Sequence, residues 1–251
     1  MEKYSNSAYR ILNLVEKAKH SGGNTITSTV WANVFGLDGD LAVRDPHLVT
    51  QKLTLLRTEL DCLSASMATT KFPNELYQPY INNVSNTVSI SNYSAAWSSY
   101  INNLGDDTIL SLKFCAEILP SDPDCDFESL EEILSLIKQL REEVESSNIH
   151  KSTVDFVLSQ ILIIENAILN YPISGGDAIR KAFSEGFSDV CAKANTMADE
   201  DAPVKSKVGQ CWLKLKSAGG VIVEADKIAN ALVKLVDNGQ KLSESVAGLL
   251  Q

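Results

Sequence analysis

The sequence predicts an all-α protein, and two observations carry that prediction. Apolar residues recur at steps of three and four along most of the 251 residues, which places them on one stripe of a helix. Alternation of apolar and polar residues, the mark of a half-buried strand, occurs only in the brief run over residues 213–216. We therefore expect a multi-helix bundle with a central antiparallel helical hairpin and a long, heptad-patterned C-terminal helix.

The helical hairpin is expected over residues 126–171. Two apolar stripes are separated there by the polar segment 146–148, and they can bury each other only if the chain folds back antiparallel. The stripes are Leu130, Ile133, Ile137, Leu140 and Val144, followed by Val154, Val157, Ile161, Ile164, Ile168 and Tyr171. Asp126 is expected to cap the first helix. The second helix is expected to end at Tyr171, because Pro172 disfavours helix in the residue before it.

The chain before the hairpin is expected to form a series of shorter helices. They are predicted over residues 4–18, 28–35, 46–68, 93–104 and 107–119, with short helices in series over 72–91. The best-marked start is Asp45 followed by Pro46, a cap residue with proline at the first helical position. The buried positions of the helix that follows are expected to be Val49, Leu53, Leu56, Leu60 and Leu63.

The chain after the hairpin is expected to turn at residues 174–177 into a further helix and to end in a heptad-patterned helix over residues 219–250. The apolar seam of that last helix is Val221, Ala225, Ile228, Leu232, Leu235, Gly239, Leu242, Val246 and Leu249. A second stripe runs through Ile222, Ala229, Val236 and Leu250 and widens the apolar face. We therefore expect this helix to pack partly on its own chain and to leave its end beyond Gly239 to a partner. The predicted partner-binding residues are Leu235, Leu242, Val246 and Leu249.

Three regions are expected along the chain: an N-terminal helical region over 1–120, an acidic hairpin plus one helix over 121–200, and the C-terminal amphipathic helix over 201–251. The segment 120–123 is the best boundary, since two prolines lie there between helical patterns. Residues 121–200 hold 6 Lys/Arg against 16 Asp/Glu in a chain of net charge −10. Such a balance argues against nucleic acid as a partner and is typical of a solvated acidic helix face.

The sequence also bears on the cellular compartment. The N-terminus lacks the basic start and apolar run of a signal peptide, and no window approaches the ~20 apolar residues of a spanning helix. Five scattered cysteines, an odd number, are typical of reduced core residues: Cys62, Cys115, Cys125, Cys191 and Cys211. A cytoplasmic protein is therefore expected.

Two segments resemble ligand sites at first sight. Residues 122–126 look like the opening of a calcium loop, but Phe127 and Ile133 stand where the loop needs a glycine and a bidentate carboxylate. Glycines at 175 and 176 precede a helix with Arg180 and Lys181, an arrangement that favours an anion but lacks the spacing of a known phosphate-binding loop. We interpret both as ordinary helix starts and predict no metal and no cofactor.

The sequence contains no recognisable arrangement of catalytic residues. The three histidines miss the spacing to arginine that all-helical ribonucleases use, and HExxH, GxSxG, CxxC and DDxxD are all missing. No catalytic residue is therefore predicted. Four lysines around Trp212 leave membrane contact as an alternative, in which the heptad helix would lie in the interface: Lys205, Lys207, Lys214 and Lys216.

Several stretches together resemble a layout found in a group of uncharacterised all-helical bacterial proteins. They are residues 29–37 (TVWANVFGL), the Trp97 segment, the Glu-rich helix running into 145–147, and residues 170–176 (NYPISGG) before the next helix. This group has no established activity, so the resemblance implies no functional residue. Its members are sometimes met in accessory or defence-type gene neighbourhoods, so the resemblance adds slight support to such a role as an alternative.

The functional expectation is a non-catalytic interaction or regulatory protein. Its partner would be another protein or a second copy of the chain, bound through the C-terminal heptad helix. The alternative is an accessory or defence-type effector that acts at a membrane or responds to a nucleotide signal.

Overall fold

The computed structural model describes residues 6–37, 45–122, 126–146, 148–193, 202–219 and 223–238. Within these ranges the chain forms ten α-helices, short 3₁₀ turns and no strand, apart from an isolated bridge between Ile26 and Ala96. The helices are α1 (Ser7–Lys19), α2 (Thr27–Val34), α3 (Pro46–Ala68), α4 (Gln78–Thr87), α5 (Asp106–Ile118), α6 (Phe127–Ser146), α7 (Lys151–Ser174), α8 (Gly176–Lys193), α9 (Ala202–Ala218) and α10 (Val223–Asn238). The predicted all-α fold is confirmed.

The chain divides into two compact units. The first consists of Met1–Asp122 together with Pro172–Gly175, and the second of Pro123–Tyr171 together with Gly176–Gln251. Each unit has its own hydrophobic core. The first core is built mainly by α1 to α5, and the second by α6 to α10.

In the first unit, α1 lies against α5, α3 and α2. Asn6 caps α1 by accepting a hydrogen bond from the Tyr9 amide (3.0 Å), and Asp45 caps α3 by accepting one from the His47 amide (3.0 Å). The five positions predicted to be buried on α3 are all buried. Trp31 and Trp97 are fully buried edge to face, with ring centroids 6.1 Å apart, and form the aromatic centre of this core.

The prediction of an α-helix over residues 93–104 is wrong. This segment forms 3₁₀ turns, including Trp97–Ser99 and Ile101–Leu104. Its backbone is occupied elsewhere: the carbonyl oxygen of Ala95 accepts from the Thr27 amide (2.9 Å), and the Trp97 amide donates to the carbonyl oxygen of Thr25 (2.8 Å). Backbone groups that pair across the chain in this way cannot also form the i to i−4 bonds of an α-helix.

In the second unit, α6 and α7 form the predicted hairpin. All the residues of the two predicted stripes are buried, except Val154, which is partly buried. Asp126 caps α6 as predicted, since its carboxylate accepts from the amide of Ser129 (3.3 Å) and from the hydroxyl of the same residue (2.6 Å). These hydrogen bonds hold the pKa of Asp126 below its ordinary value.

The predicted end of α7 at Tyr171 is also wrong, because the helix continues through Pro172 to Ser174. Proline removes only one backbone donor, and here it does so in the last turn of the helix. Ile173 is buried in the core of the first unit, which holds that turn in place. The helix ends at Ser174, and the next residue, Gly175, has a φ of 56°, in the left-handed region that glycine adopts without steric cost.

The region over 201–251, in which the heptad helix is expected at 219–250, contains two helices among its described residues, α9 and α10. Helix α9 packs on α6 and α10, and α10 packs on α8 and α9. The brief alternation over residues 213–216 lies inside α9, and Trp212 on the same helix is fully buried. The centroid of the Trp212 ring lies 5.0 Å from that of Phe183 on α8.

Two glycine substitutions in α8 are expected to have opposite effects, because only one of the glycines packs against Trp212. A Cβ at Gly186 would overlap the buried indole ring, whereas a Cβ at Gly176 would meet only Arg180, at 3.8 Å. We expect Gly186→Ala to lower the free energy of unfolding by ~1–3 kcal/mol, because the indole ring cannot move aside. Gly176→Ala should raise it by ~0.4–1 kcal/mol through the loss of unfolded-state entropy. Urea denaturation of both variants measures the two changes, and a stabilised Gly186→Ala protein would contradict the described packing.

Candidate functional site

A surface groove in the first unit is the candidate binding site. It lies between the 3₁₀ turn Asn74–Leu76, α4 and α5, and has a volume of about 270 Å³. We call it the acidic groove, and its lining residues are Glu75, Leu76, Tyr80, Asp107, Leu110, Ser111 and Phe114. Leu76 and Leu110 are 47% and 69% exposed, so two large aliphatic groups lie open to solvent at one place.

The walls of the acidic groove are held by hydrogen bonds and packing. The hydroxyl of Ser111 on α5 donates to the carbonyl oxygen of Leu76 (2.9 Å), which ties the turn to the helix. The next residue, Tyr77, is buried, and its hydroxyl donates to the side chain of Asn74. At the α5 wall, Phe114 packs edge to face on Phe72, with ring centroids 5.1 Å apart. The turn is therefore fixed, and Leu76 is exposed by the fold rather than by a loose loop.

The charges that line the acidic groove are of one sign. Glu75 and Asp107 are both exposed, and none of the described lining residues is basic. In the part of the chain that the structure describes, neither carboxylate takes part in an ion pair. The neighbouring Asp106 differs in this respect, because it accepts from Lys19 (2.6 Å). The groove is thus apolar at its centre and negative at its edge.

A buried ion cluster in the first unit has a different character. The guanidinium of Arg10 on α1 donates to Glu59 on α3 and to Asp122, and its Nε donates to the carbonyl oxygen of Ile173 (3.2 Å). Arg10 and Glu59 are each 5% exposed. A Cβ at Gly175 would overlap the guanidinium. Four separate segments of the first unit therefore meet at one side chain.

Two carboxylates share this single guanidinium. Burial disfavours the charged form of Arg10, but the two carboxylates outweigh burial and raise its pKa. Burial also dominates for Glu59, whose pKa is raised above its ordinary value despite the attraction of Arg10. Both carboxylates are bound by Arg10, and the guanidinium is occupied by them and by the carbonyl oxygen of Ile173. We therefore assign the cluster a structural role.

The second unit contains a polar network around Asp189 on α8. Its carboxylate accepts from Ser159 (2.5 Å), from Gln160 (2.7 Å) and from Lys193 (2.9 Å). Trp212 donates in turn to the buried side chain of Gln160 (3.0 Å). Partial burial acts to raise the pKa of Asp189, but the hydrogen bonds from its neighbours outweigh it and lower that pKa. Lys193 also donates to Ser159 (2.9 Å), so its ammonium contacts both Asp189 and Ser159.

The lysines that motivated the membrane alternative are engaged within the second unit. Lys207 and Lys214 on α9 form ion pairs with Glu143 (2.6 Å) and Glu132 (3.2 Å) on α6. Lys216 donates to Asn230 (3.1 Å), and Lys205 is buried. Trp212, which would have to enter the interface, is fully buried. Among the described residues, one helix, α7, is long and apolar enough to cross a membrane, and 44% of its most apolar window is buried in the structure.

The predicted partner-binding residues lie at the edge of what the structure describes. The backbone of Leu235 belongs to α10, but the structure does not describe its side chain. Leu242, Val246 and Leu249 lie outside the described residues altogether. The described contacts of α10 involve Ala229, Leu232 and Val236, which are all buried. The seam position Leu232 thus faces the core together with two members of the predicted second stripe.

Local pairing explains the two segments that resemble ligand sites in the sequence. Asp122 of the possible calcium loop is bound by Arg10, and no metal-binding group of three side chains occurs in the described ranges. Arg180 beside the glycine turn pairs with Asp177, and Lys181 with Glu185 (3.7 Å). These charges are therefore directed at neighbouring side chains.

The cysteine prediction holds in part. Cys115 and Cys211 are buried, and burial raises the pKa of each thiol to about 11. Cys62, in contrast, is exposed, and Cys191 is partly buried. Cys125 lies outside the described residues.

The acidic groove is a site that the sequence pattern did not predict. Leu110 and Phe114 fit the apolar pattern of their helix, whereas the buried face of α5 runs through Ile109, Leu112 and Cys115. A signal was present, because apolar residues on more than one side of a short helix exceed what one core can cover. The 3₁₀ turn that supplies the opposite wall follows Pro73 and had no periodic pattern to reveal it.

Comparison with known proteins found no match to a protein-family model, a curated protein or a solved structure.

The Arg10 cluster predicts a strong and pH-dependent loss of stability for Arg10→Met. The substitution leaves Glu59 buried without its counter-ion, so we expect a loss of ~3–5 kcal/mol at neutral pH. Glu59→Gln should cost less, because Arg10 keeps Asp122. The stability due to neutral Glu59 is present below the pKa of the unfolded chain and is lost as the pH rises through the raised native pKa.

Arg10→Met should therefore regain stability as the pH falls from about 7 toward 5 by more than the unsubstituted protein does, and the double substitution with Glu59→Gln should largely remove that gain. Denaturant titrations at both pH values provide the measurement. Equal pH dependence in all variants would show that Glu59 does not carry the penalty.

Proposed function

We propose that this protein is a non-catalytic helical interaction protein, and that the seam formed by Leu235, Leu242, Val246 and Leu249 binds a partner protein or a second copy of the chain. The observation that carries the proposal is the packing of α10. This helix buries Ala229, Leu232 and Val236 against α8 and α9. The apolar pattern of the sequence is wider and longer than that buried stripe.

The position of the leucines supports the assignment. Leu235, Leu242 and Leu249 recur every seven residues, and Leu235 immediately precedes the buried Val236. A heptad line one position away from a buried stripe runs along its flank, because successive residues of a helix are about 100° apart. Residues at such flanking positions contact a second helix once the first stripe is covered.

The polar clusters support a binding role over a catalytic one. Arg10 and Asp189 lie at the centres of the two largest described networks, and each is bonded to neighbouring side chains. Catalytic groups need a free position next to a substrate, and these groups use their bonding capacity within the fold.

The rival proposal is an effector that acts at a membrane or responds to a nucleotide. The membrane version was suggested by the lysines around Trp212, and two of them, Lys207 and Lys214, form ion pairs with α6. Liposome flotation tests the membrane version. A thermal-shift screen with nucleotides tests the other version, because a ligand at about 100 times its dissociation constant adds about 2.7 kcal/mol of stability.

Substitutions along the seam should separate association from folding. We expect Leu249→Asp and Leu242→Asp to retain the unfolding free energy and to lose association, because a charge on a partner-facing seam prevents its burial. Leu232→Asp should instead destabilise the fold by ~3 kcal/mol or more, since Leu232 is fully buried.

Light scattering after gel filtration measures the mass of each variant over a range of concentrations, and affinity capture from the source cells identifies proteins lost with Leu249→Asp. If Leu249→Asp alters neither the mass nor the captured proteins, the seam is not the association element.

A further inference from the structure

We propose that the acidic groove is a second, independent binding site, which takes a short segment of a partner protein that carries an apolar anchor side chain flanked by lysine or arginine. The groove lies in the first unit and involves none of the seam residues, so the proposal stands apart from the function proposed above. Its chemistry follows from three features: exposed aliphatic walls, a fixed shape and acidic edges.

The walls call for an apolar occupant. Leu76 and Leu110 are exposed large hydrophobic residues, and both line the same groove. Single exposed leucines are ordinary on protein surfaces, but two that line one concavity together with Phe114 form a contiguous apolar patch. Covering them removes apolar surface from water, which favours binding of an aliphatic or aromatic side chain.

The fixed shape reduces the entropic cost of binding. The bond from Ser111 to the Leu76 carbonyl and the buried ring of Tyr77 hold the turn in one position. A preformed site loses less conformational entropy when it is occupied than a flexible one. With about 270 Å³, the groove is slightly smaller than typical small-molecule pockets and suits one anchor side chain of a peptide.

The acidic edges select the flanking residues of the occupant. Glu75 and Asp107 are the charged lining residues, and the nearest lysine in sequence to the turn, Lys71, lies over the ring of Phe72 rather than in the lining. A segment with lysine or arginine beside its anchor would neutralise both carboxylates. Phosphate-rich partners such as nucleic acid or an anionic membrane would be repelled. A second copy is disfavoured as the occupant of the acidic groove, since each chain carries a net charge of −10 and the groove itself is edged by carboxylates.

The test is selection of peptides on the intact chain from a display library of random peptides about twelve residues long. We expect the enriched peptides to share an aliphatic or aromatic residue with a neighbouring lysine or arginine. The strongest peptide is then synthesised with a fluorescent label, and its affinity is measured by anisotropy. Its binding should weaken at about 0.3 M salt relative to low salt, because the charge contacts are exposed.

Matched variants locate the binding. Leu110→Ser and Glu75→Lys should each weaken the binding of the peptide about fivefold or more, because the first removes an apolar contact and the second turns an attractive charge at the edge into a repulsive one. The controls are Leu162→Ser, the same change at another exposed leucine, and Glu131→Lys, the same charge reversal on the acidic face of α6. Both controls should bind within about twofold of the unsubstituted chain. All four changed side chains are exposed, so melting temperatures should be unchanged.

Three results would overturn the proposal: no enriched peptide, an enriched peptide without basic residues, or equal loss of binding in Glu131→Lys and Glu75→Lys. The last result would mean diffuse attraction to an acidic protein. Leu249→Asp should bind the peptide normally, so failure of the groove and failure of the seam are observed separately.

Discussion

The guanidinium of Arg10 is the contact on which the first unit depends, because it joins parts of the chain that are far apart in sequence. It binds Glu59, Asp122 and the carbonyl oxygen of Ile173, and it lies against Gly175. A buried charge of this kind is costly unless every partner is in place, so correct packing of these segments is coupled to one side chain. The last turn of α7 can therefore include Pro172, since the burial of Ile173 and the bond from Arg10 to its carbonyl oxygen compensate for the one backbone donor that proline lacks.

In the second unit, the helices pack around a buried aromatic side chain instead of a buried charge. Trp212 packs on Phe183 and against the backbone at Gly186, while its ring nitrogen donates to Gln160. The surrounding ion pairs between α6 and α9 neutralise part of the acidic face of α6. The excess of acidic residues in the middle of the sequence thus has two fates: some carboxylates pair within the unit, and others, such as Glu131, stay exposed to solvent.

The two proposed binding elements share a physical basis. The acidic groove keeps exposed apolar side chains outside the core of the first unit, and the sequence of the C-terminal seam holds more apolar residues than the stripe that α10 buries. The acidic groove combines this surface with two carboxylates that form no ion pair in the described ranges, and the C-terminal seam continues a heptad pattern beyond a stripe that α10 has already buried. The charges of the Arg10 cluster and around Asp189 are paired internally, whereas burial of the exposed apolar residues of the acidic groove by another chain would be favourable.

Residue spacing along the chain was enough to predict the helical fold, the hairpin stripes and the caps at Asp45 and Asp126, because these depend on groups a few residues apart. Other features depend on partners that are distant in sequence, and folding had to bring them together. Backbone pairing with Thr25 and Thr27 kept residues 93–104 out of an α-helix. The acidic groove also depends on folding, because only folding places the turn after Pro73 opposite Leu110. The sequence of α5 showed that one core could not cover all its apolar residues, but the position of the opposite wall was decided by the tertiary structure.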